Sequence, residues 1–200
     1  PGRPASGITN CSPSMYFTYR EENRTFQHFG VWGSGGASVT APGEAELPRA
    51  LFVTYGVLDA LAVKPVLGRW FSQEDDTPGS PQTVILAHDY WQRRFGGDRS
   101  VIGRAMTINA QPYTVIGVMP QDFTFQRDFA LILPQRFERE RLNLGTFAYQ
   151  GVARLKPGVT IEQANADLGR MLGVWLRSWP SPPGFDDAIF RNARFGPAIQ

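Results

Sequence analysis

Cysteine and histidine are scarce in this sequence. Its 200 residues contain one cysteine, Cys11, and two histidines, His28 and His88. A single cysteine excludes an intrachain disulfide and any metal site built on several thiolates. The two histidines lie far apart, and neither belongs to a ligand-spaced motif. We therefore predict no metal site, no cofactor and no catalytic, cofactor-binding or metal-binding residues.

Clusters of basic residues and long apolar runs are also absent. The net charge is only +2, Lys64 and Lys156 are the only lysines, and the arginines are scattered. This pattern does not predict a nucleic-acid partner. No window approaches the eighteen or so apolar residues that a membrane span needs, and the first residues do not resemble a signal peptide. Because the sequence lacks a starting Met, we expect a segment of a longer protein.

Hydrophobic and turn-forming residues are plentiful. The sequence is 42% hydrophobic and 12% aromatic, with 21 glycines and 16 prolines. That hydrophobic content is enough to fill real cores, and the glycines and prolines predict many turns. We therefore expect a loop-rich α+β protein.

Two long helices are predicted. Ser12 can cap a helix with Pro13 at its first position, and Met15, Tyr19, Phe26 and Phe29 would form its aromatic face. Near the other end, Thr160 and Gln163 fit a capping box, followed by apolar residues at helical spacing until the stretch 180–184. Shorter helices are predicted over 55–61, where Lys64-Pro65 prevents continuation, and from a cap at Asp89 to Gly96-Gly97.

Strands are predicted from β-forming residues bounded by turn signals. The first hairpin joins 37–41 to 46–54 across Pro42-Gly43, and the second joins 105–108 to 113–118 across a loop of three or four residues at 109–112. The remaining predicted strands are 84–86, 123–125, 129–133 and 147–155. The tail from 185 to 200 is ambiguous, with short elements at 188–190 or 193–195. This order would let both ends pack into one α/β layer around an inserted subdomain, Leu67–Pro134.

Successive carboxylates at Glu74, Asp75 and Asp76 are the strongest candidates for chemistry. They could be read as a metal or acid/base site, but adjacent acids point in different directions, so a solvated acidic turn or a helix-start signal is favoured. An enzyme using Asp75, Asp76 or His88 lacks any paired constellation. The run 136–141, RFERER, similarly predicts an exposed bridging helix or loop.

Three sequence blocks together resemble a known family. These are VLGRWFSQEDD, the stretch VILAHDYWQRRFGGDRSVIGRAMTINAQPYTVIGVMPQDFTF, and GVARLKPGVTIEQANADL. They are similar to the extracytoplasmic core domain of MacB-like ABC-transporter permeases, especially the acidobacterial-type duplicated orphan permeases. The resemblance extends over most of residues 12–178.

The resemblance implies a divided architecture. A porter-like α/β subdomain would comprise residues 12–64 and 146–180, and a mainly-β subdomain, 65–140, would be inserted into it. Residues 1–11 would then be a disordered leader and 181–200 a tail of uncertain structure.

The resemblance also implies a function without catalytic residues. The domain would lie in the periplasm, between two transmembrane helices of a permease in the cell inner membrane, and would couple cytoplasmic ATP hydrolysis to export or to mechanical work. Its partners would be the rest of its own permease chain, a separate ATPase subunit, and a periplasmic adaptor or a protein or peptide substrate. The alternative is a scaffold module that binds an envelope peptide or protein without transport.

Overall fold

The chain folds into two units of mixed α and β structure, which confirms the predicted α+β class. A computed structural model describes residues 10–40, 45–123, 125, 128–192 and 195–197. Unit 1 comprises Pro1–Val31 and Glu138–Gln200, and unit 2 comprises Trp32–Phe137. No helix among the described residues is long and apolar enough to cross a membrane.

The first helix of unit 1, α1, spans Pro13–Glu22. The Ser12 hydroxyl accepts a hydrogen bond from the Met15 N–H at 3.1 Å, and Pro13 occupies the first turn, as predicted. The helix stops earlier than its aromatic pattern suggests, because the Asn23 side chain accepts from the Phe26 N–H at 3.0 Å and turns the chain.

A strand, β1 (Phe26–Gly36), follows where the sequence pattern had continued the helix. Placing Phe26 and Phe29 on the first helix was therefore wrong. Both aromatic residues still pack into the core of unit 1. The apolar pattern therefore predicted the core packing of these two side chains correctly and their secondary structure incorrectly. Gly33, Gly35 and Gly36 also lie within β1.

The C-terminal segment supplies the other elements of unit 1. The helix α4 (Ile161–Ser178) begins with the predicted capping box, in which Thr160 and Gln163 each bond the other's backbone N–H at 3.2 and 2.9 Å. A short helix, α5 (Asp187–Asn192), includes the predicted element at 188–190, whereas 193 and 194 lie outside the described residues. The strand β9 (Gln150–Leu155) neighbours β1.

Unit 1 packs around the facing sides of α1 and α4. Trp175 is fully buried, and its indole N–H donates to the Ser14 hydroxyl at 2.8 Å, joining residues from opposite ends of the chain. Met171 and Ala164 are also fully buried on α4. Burial of one such large side chain stabilises the fold by roughly 1.5–3 kcal/mol.

Unit 2 is organised around a mixed sheet. Its strand order is β2-β6-β7-β5-β8-β3-β1, with β4 pairing beside β7. The strands are β2 (Val39–Thr40), β3 (Arg49–Val53), β4 (Leu67–Gly68), β5 (Thr83–Leu86), β6 (Ala105–Ile108), β7 (Gln111–Val118) and β8 (Leu131–Pro134). Within this order β5 runs parallel to β7 and β3 runs parallel to β8, while β5 and β8 are antiparallel. The strands β5 and β8 are buried at every position.

Two predicted hairpins differ from the structure. The two arms of the first predicted hairpin do pair, since the Ala37 N–H donates to the Pro48 carbonyl at 3.0 Å and Val39 bridges Glu46. Most of its second arm, however, is β3, which pairs antiparallel with β1, and β2 pairs with β6. The turn of this first hairpin lies in residues 41–44, outside the described part. The β6–β7 hairpin is confirmed, but its loop contains only Asn109 and Ala110, both with positive φ, as a two-residue primed turn requires.

Two helices of unit 2 follow their predictions closely. The helix α2 spans Gly56–Leu61. The helix α3 spans His88–Phe95 and ends at Gly96 with φ 58°, as predicted. Its N-cap is Ala87, so Asp89 lies inside the first turn and the predicted cap was wrong.

The remaining predicted strands shift at their ends. Of 123–125, residue 124 lies outside the described residues and Phe123 is not in a strand; β8 begins at Leu131. Tyr149 precedes β9 and forms an isolated antiparallel bridge with Cys11. Of the predicted leader, residues 1–9 are not among those described.

The two contact units have other bounds than the subdomains that the family resemblance implies, and those subdomains stay a prediction. The predicted outer part, 12–64 and 146–180, would include β2, β3 and α2, but residues 32–64 lie in unit 2. Residues 138–145 and the tail lie in unit 1. The physical reason is strand pairing: β3 pairs with β8, and β2 pairs with β6. A local pattern identifies a strand without identifying its neighbours.

Candidate functional site

The acidic run 74–76 is a structural anchor. Asp75 is only 4% exposed, so the prediction of a solvated turn was wrong for this residue. Its carboxylate accepts hydrogen bonds from Arg69 at 2.7 and 3.2 Å, from the N–H and hydroxyl of Ser72 at 2.7 and 2.9 Å, and from the Thr83 hydroxyl at 3.0 Å. The neighbouring Asp76 accepts from the Tyr55 N–H at 2.6 Å.

These contacts determine what the Asp75 carboxylate can do. Burial by itself raises its pKa, but the hydrogen bonds from Arg69, Ser72 and Thr83 outweigh that effect and lower the pKa to about 2. A carboxylate that is ionised throughout the physiological range and surrounded by donors is a poor proton acceptor. Its arrangement suits a fixed loop and does not suit general-base chemistry.

Arg136 closes the same loop from outside. Its guanidinium donates to three backbone carbonyls, those of Asp75, Ser80 and Pro81, at 2.7 to 2.8 Å. The predicted exposed segment 136–141 therefore begins with an anchored arginine and the buried Phe137, and only Glu138–Arg141 is exposed.

The other residues considered for chemistry do not meet. Thr83, which contacts Asp75, begins β5, whereas His88 follows the end of that strand. His28 lies on β1 within unit 1. Over the described residues, no three His, Cys, Asp or Glu side chains are grouped closely enough to hold a metal ion.

Cys11 has a structural setting. Its backbone exchanges two hydrogen bonds with Tyr149, at 2.6 and 3.1 Å, and its side chain packs against the core of unit 1. Burial raises the pKa of the Cys11 thiol to about 11, so little reactive thiolate forms at neutral pH.

A groove of about 520 Å³ in unit 2 is the strongest candidate for a binding site. It lies where β5 and β7 end side by side, with Leu86 paired to Val118. Backbone hydrogen bonds from Met119 to Leu86, from Ala87 to Ala130 and from Ala130 to Arg49 build its floor, at 2.8 to 2.9 Å. The carboxyl ends of parallel strands are a favoured position for ligand sites.

The groove combines apolar walls with charged groups. Phe123 and Phe129 contact each other edge to face, with their ring centres 5.9 Å apart, and both line it together with Met119. Arg49 and Arg93 contribute positive charge. Sequence analysis treated these arginines as scattered surface residues, because only the strand order brings residues 49 and 93 to one edge.

His88 lies at the same groove. Its Nδ1 atom is buried and has no hydrogen-bond partner among the described residues; the nearest ion-pair contact is Asp89 Oδ1, 3.6 Å away. The hydrogen-bonding capacity of His88 is therefore only partly used.

Three solved structures share this fold. The periplasmic region of MacB from Actinobacillus actinomycetemcomitans matches with a TM-score of 0.62 and 17% identity, covering 86% of this chain and 77% of that chain. The extracellular domain of the noncanonic ABC-type transporter YknZ from Gram-positive bacteria gives 0.59 and 16%, covering 84% and 86%. A domain assigned to a permease protein from Porphyromonas gingivalis gives 0.65 and 21%, covering 93% and 76%.

Sequence comparison gives the family directly. No curated relative matches the sequence significantly. The family model of the MacB-like periplasmic core domain, in contrast, matches residues 11–171, which include most of both units. The chain therefore belongs to the family of MacB-like periplasmic core domains.

Proposed function

We propose that this chain is the extracytoplasmic domain of an ABC-type permease of the inner membrane, and that it couples cytoplasmic ATP hydrolysis to export or to mechanical work on an envelope partner. The family match over residues 11–171 is the observation that supports this most strongly. The proposed partners are the rest of the permease chain, a separate ATPase subunit, and a periplasmic adaptor or a protein or peptide substrate.

The two-unit fold supports a mechanical role. Unit 1 is assembled from segments on both sides of unit 2 in the sequence, and Trp175 and Asp167 of α4 bond residues of the first segment. A unit tied in this way can respond to displacement of either segment. We assign unit 1 to the porter-like part and unit 2 to the inserted part.

The groove of unit 2 gives the domain a place to bind a partner. The same feature would serve a scaffold that binds an envelope peptide without transport, so the two functions differ in whether ATP hydrolysis changes the domain.

A labelling experiment on the full-length protein tests the location. Glu140→Cys in unit 1 and Arg99→Cys in unit 2 place single cysteines at exposed positions, on a Cys11→Ala background. A membrane-impermeant maleimide should label both cysteines in spheroplasts with intact inner membranes, and the Cys11→Ala parent should show no labelling of this domain. Labelling only after the inner membrane is permeabilised would contradict the proposed location.

A further inference from the structure

We infer that the groove of unit 2 binds a single carboxylate carried by an apolar peptide segment. This inference deepens the proposed function and rests on it for the source of the ligand, an envelope protein or peptide. Binding is measured on the isolated chain, so its failure is distinguishable from a failure of the topology experiment.

Two unpaired arginines give the groove its preference for an anion. The guanidinium groups of Arg49 and Arg93 have no ion pair or hydrogen bond within the described part of the chain. Arg93 lies over the ring of Tyr90, 5.3 Å from its centre, which holds the guanidinium at the wall of the groove. By contrast, the neighbouring Arg94 is already paired with Glu46. A guanidinium matches a carboxylate by two parallel hydrogen bonds.

Backbone groups add to this preference. The first turn of α3 lines the groove, and its N-cap, Ala87, offers no side-chain acceptor. The first N–H groups of a helix lack acceptors within the helix and carry partial positive charge. His88 Nδ1, buried and without a hydrogen-bond partner among the described residues, is a further polar atom at this edge.

The volume and walls define the rest of the ligand. About 520 Å³ is within the range of small-ligand sites and accommodates a few peptide residues. The rings of Phe123 and Phe129 provide an apolar wall for a nonpolar side chain.

Two acids limit the charge that the groove accepts. Asp89 and Asp128 also line it, and both residues are exposed. Their charges oppose those of the two arginines, so a ligand with several negative charges would be repelled. One carboxylate, placed between the arginines and the start of α3, fits this balance.

Titration of the ¹⁵N-labelled chain, followed by amide chemical shifts, tests the inference. The probes are acetyl-Gly-Ser-Ala-Leu with a free carboxylate, the same peptide as its amide, and acetyl-Gly-Ser-Glu-Leu amide. The free acid should shift the backbone amide signals of residues 87–90 in a saturable manner. The amide form of the same peptide, acetyl-Gly-Ser-Ala-Leu amide, should bind at least tenfold more weakly. Binding of the Glu peptide as well would show that a side-chain carboxylate is also accepted.

Matched variants identify the residues responsible. Arg49→Gln and Arg93→Gln should each weaken binding of the free acid by about tenfold, the loss expected for one charge-assisted hydrogen-bonding group. Asp128→Asn should strengthen it by a few fold. Arg99→Gln, at an exposed arginine of the same unit that does not line the groove, should leave binding unchanged.

Three results would overturn the inference. These are equal binding of the free acid and its amide, equal weakening by Arg99→Gln and Arg93→Gln, and no saturable shift at millimolar peptide. Because Arg93 and Arg99 are both exposed, unchanged spectra away from the substituted residue serve as the folding control.

Discussion

Asp75 in unit 2 and Asp167 in unit 1 are two buried carboxylates with similar hydrogen-bond donors. They differ in how far along the sequence those donors lie. Each is bonded by an arginine, a backbone N–H and a hydroxyl group. Every hydrogen bond that the Asp75 carboxylate accepts comes from residues 69 to 83. The Asp167 carboxylate, in contrast, accepts from Arg24 and Thr25, at 2.7 and 3.1 Å, across more than 140 positions. The first carboxylate therefore fixes a loop, and the second joins the two segments of unit 1.

This difference shows how similar chemistry supports two kinds of unit. Unit 2 is one continuous segment, and its sheet needs its connecting loops held in place. Unit 1 is discontinuous, so contacts between distant segments must hold it closed. Arg170 extends that closure, because it bonds both Asp167 and the carbonyl of Glu22.

The largest effect is expected from Asp75→Ala. It leaves Ser72, the buried Thr83 hydroxyl and the Arg69 guanidinium without their shared acceptor. We expect a loss of about 3 kcal/mol, at the lower end for a broken buried ion pair because Arg69 is half exposed. Urea denaturation measures the loss, and limited proteolysis should show new cleavage within 72–81. Asp122→Ala, which removes an exposed acid from the same unit, is the control and should change stability by less than about 0.5 kcal/mol. Equal stability of Asp75→Ala and the parent would contradict the anchoring role.

Asp167→Ala should cost about 2 kcal/mol, because Arg24 and Thr25 lose a charged acceptor. Asp167→Ala and Asp75→Ala should also increase hydrogen exchange in different parts of the chain. Amide hydrogen exchange should increase around residues 22–26 and in α4, while 72–81 remains protected. Exchange that increases in both units to the same extent would remove the distinction between local and long-range anchors. Glu162→Ala, at an exposed acid on the same helix, provides the comparison.

The pH dependence of stability distinguishes Asp75 from its uncharged variant Asp75→Asn. The pKa of Asp75 is lowered in the folded state to about 2, so its contribution is fully present above the ordinary carboxyl pKa and is lost as the pH falls toward 2. The stability difference between parent and variant should be constant from pH 5 to 7 and should shrink below about pH 4. A difference that stays constant down to pH 2 would contradict an ionised, hydrogen-bonded Asp75. The lowered pKa of Asp167 predicts a loss in the same direction.

The smallest effect concerns a purely local feature, the two-residue turn between β6 and β7. Ala110 has a φ of 60°, a conformation that glycine adopts more readily. Ala110→Gly should therefore stabilise unit 2 by up to about 1 kcal/mol. A thermal melt detects this gain, and Ala105→Gly, at the start of β6, should instead destabilise. Destabilisation by Ala110→Gly would show that the turn geometry is not the limiting factor.

Features set by neighbouring residues could be predicted from the sequence. Ser12 and Pro13 start α1, Thr160 and Gln163 start α4, and Gly96 ends α3, because capping depends on residues within one turn. The family resemblance also rests on local blocks, and the family match confirms it.

Features set by residues that lie far apart in the sequence could not be predicted from it. Phe26 and Phe29 continue a helical spacing, but the Asn23 turn and the sheet place them on β1. The acidic run predicts an exposed Asp75, but in the structure Arg69 and Thr83 bond its carboxylate. The groove depends on β5 and β7 ending side by side, which no local pattern shows.

Hydrogen exchange of the full permease, reconstituted with the proposed ATPase subunit, tests the proposed coupling role most directly. ATP should change the exchange rates of α4 amides when the ATPase is active, and a hydrolysis-deficient ATPase should abolish that change. Identical exchange in this domain with and without ATP hydrolysis would contradict coupling.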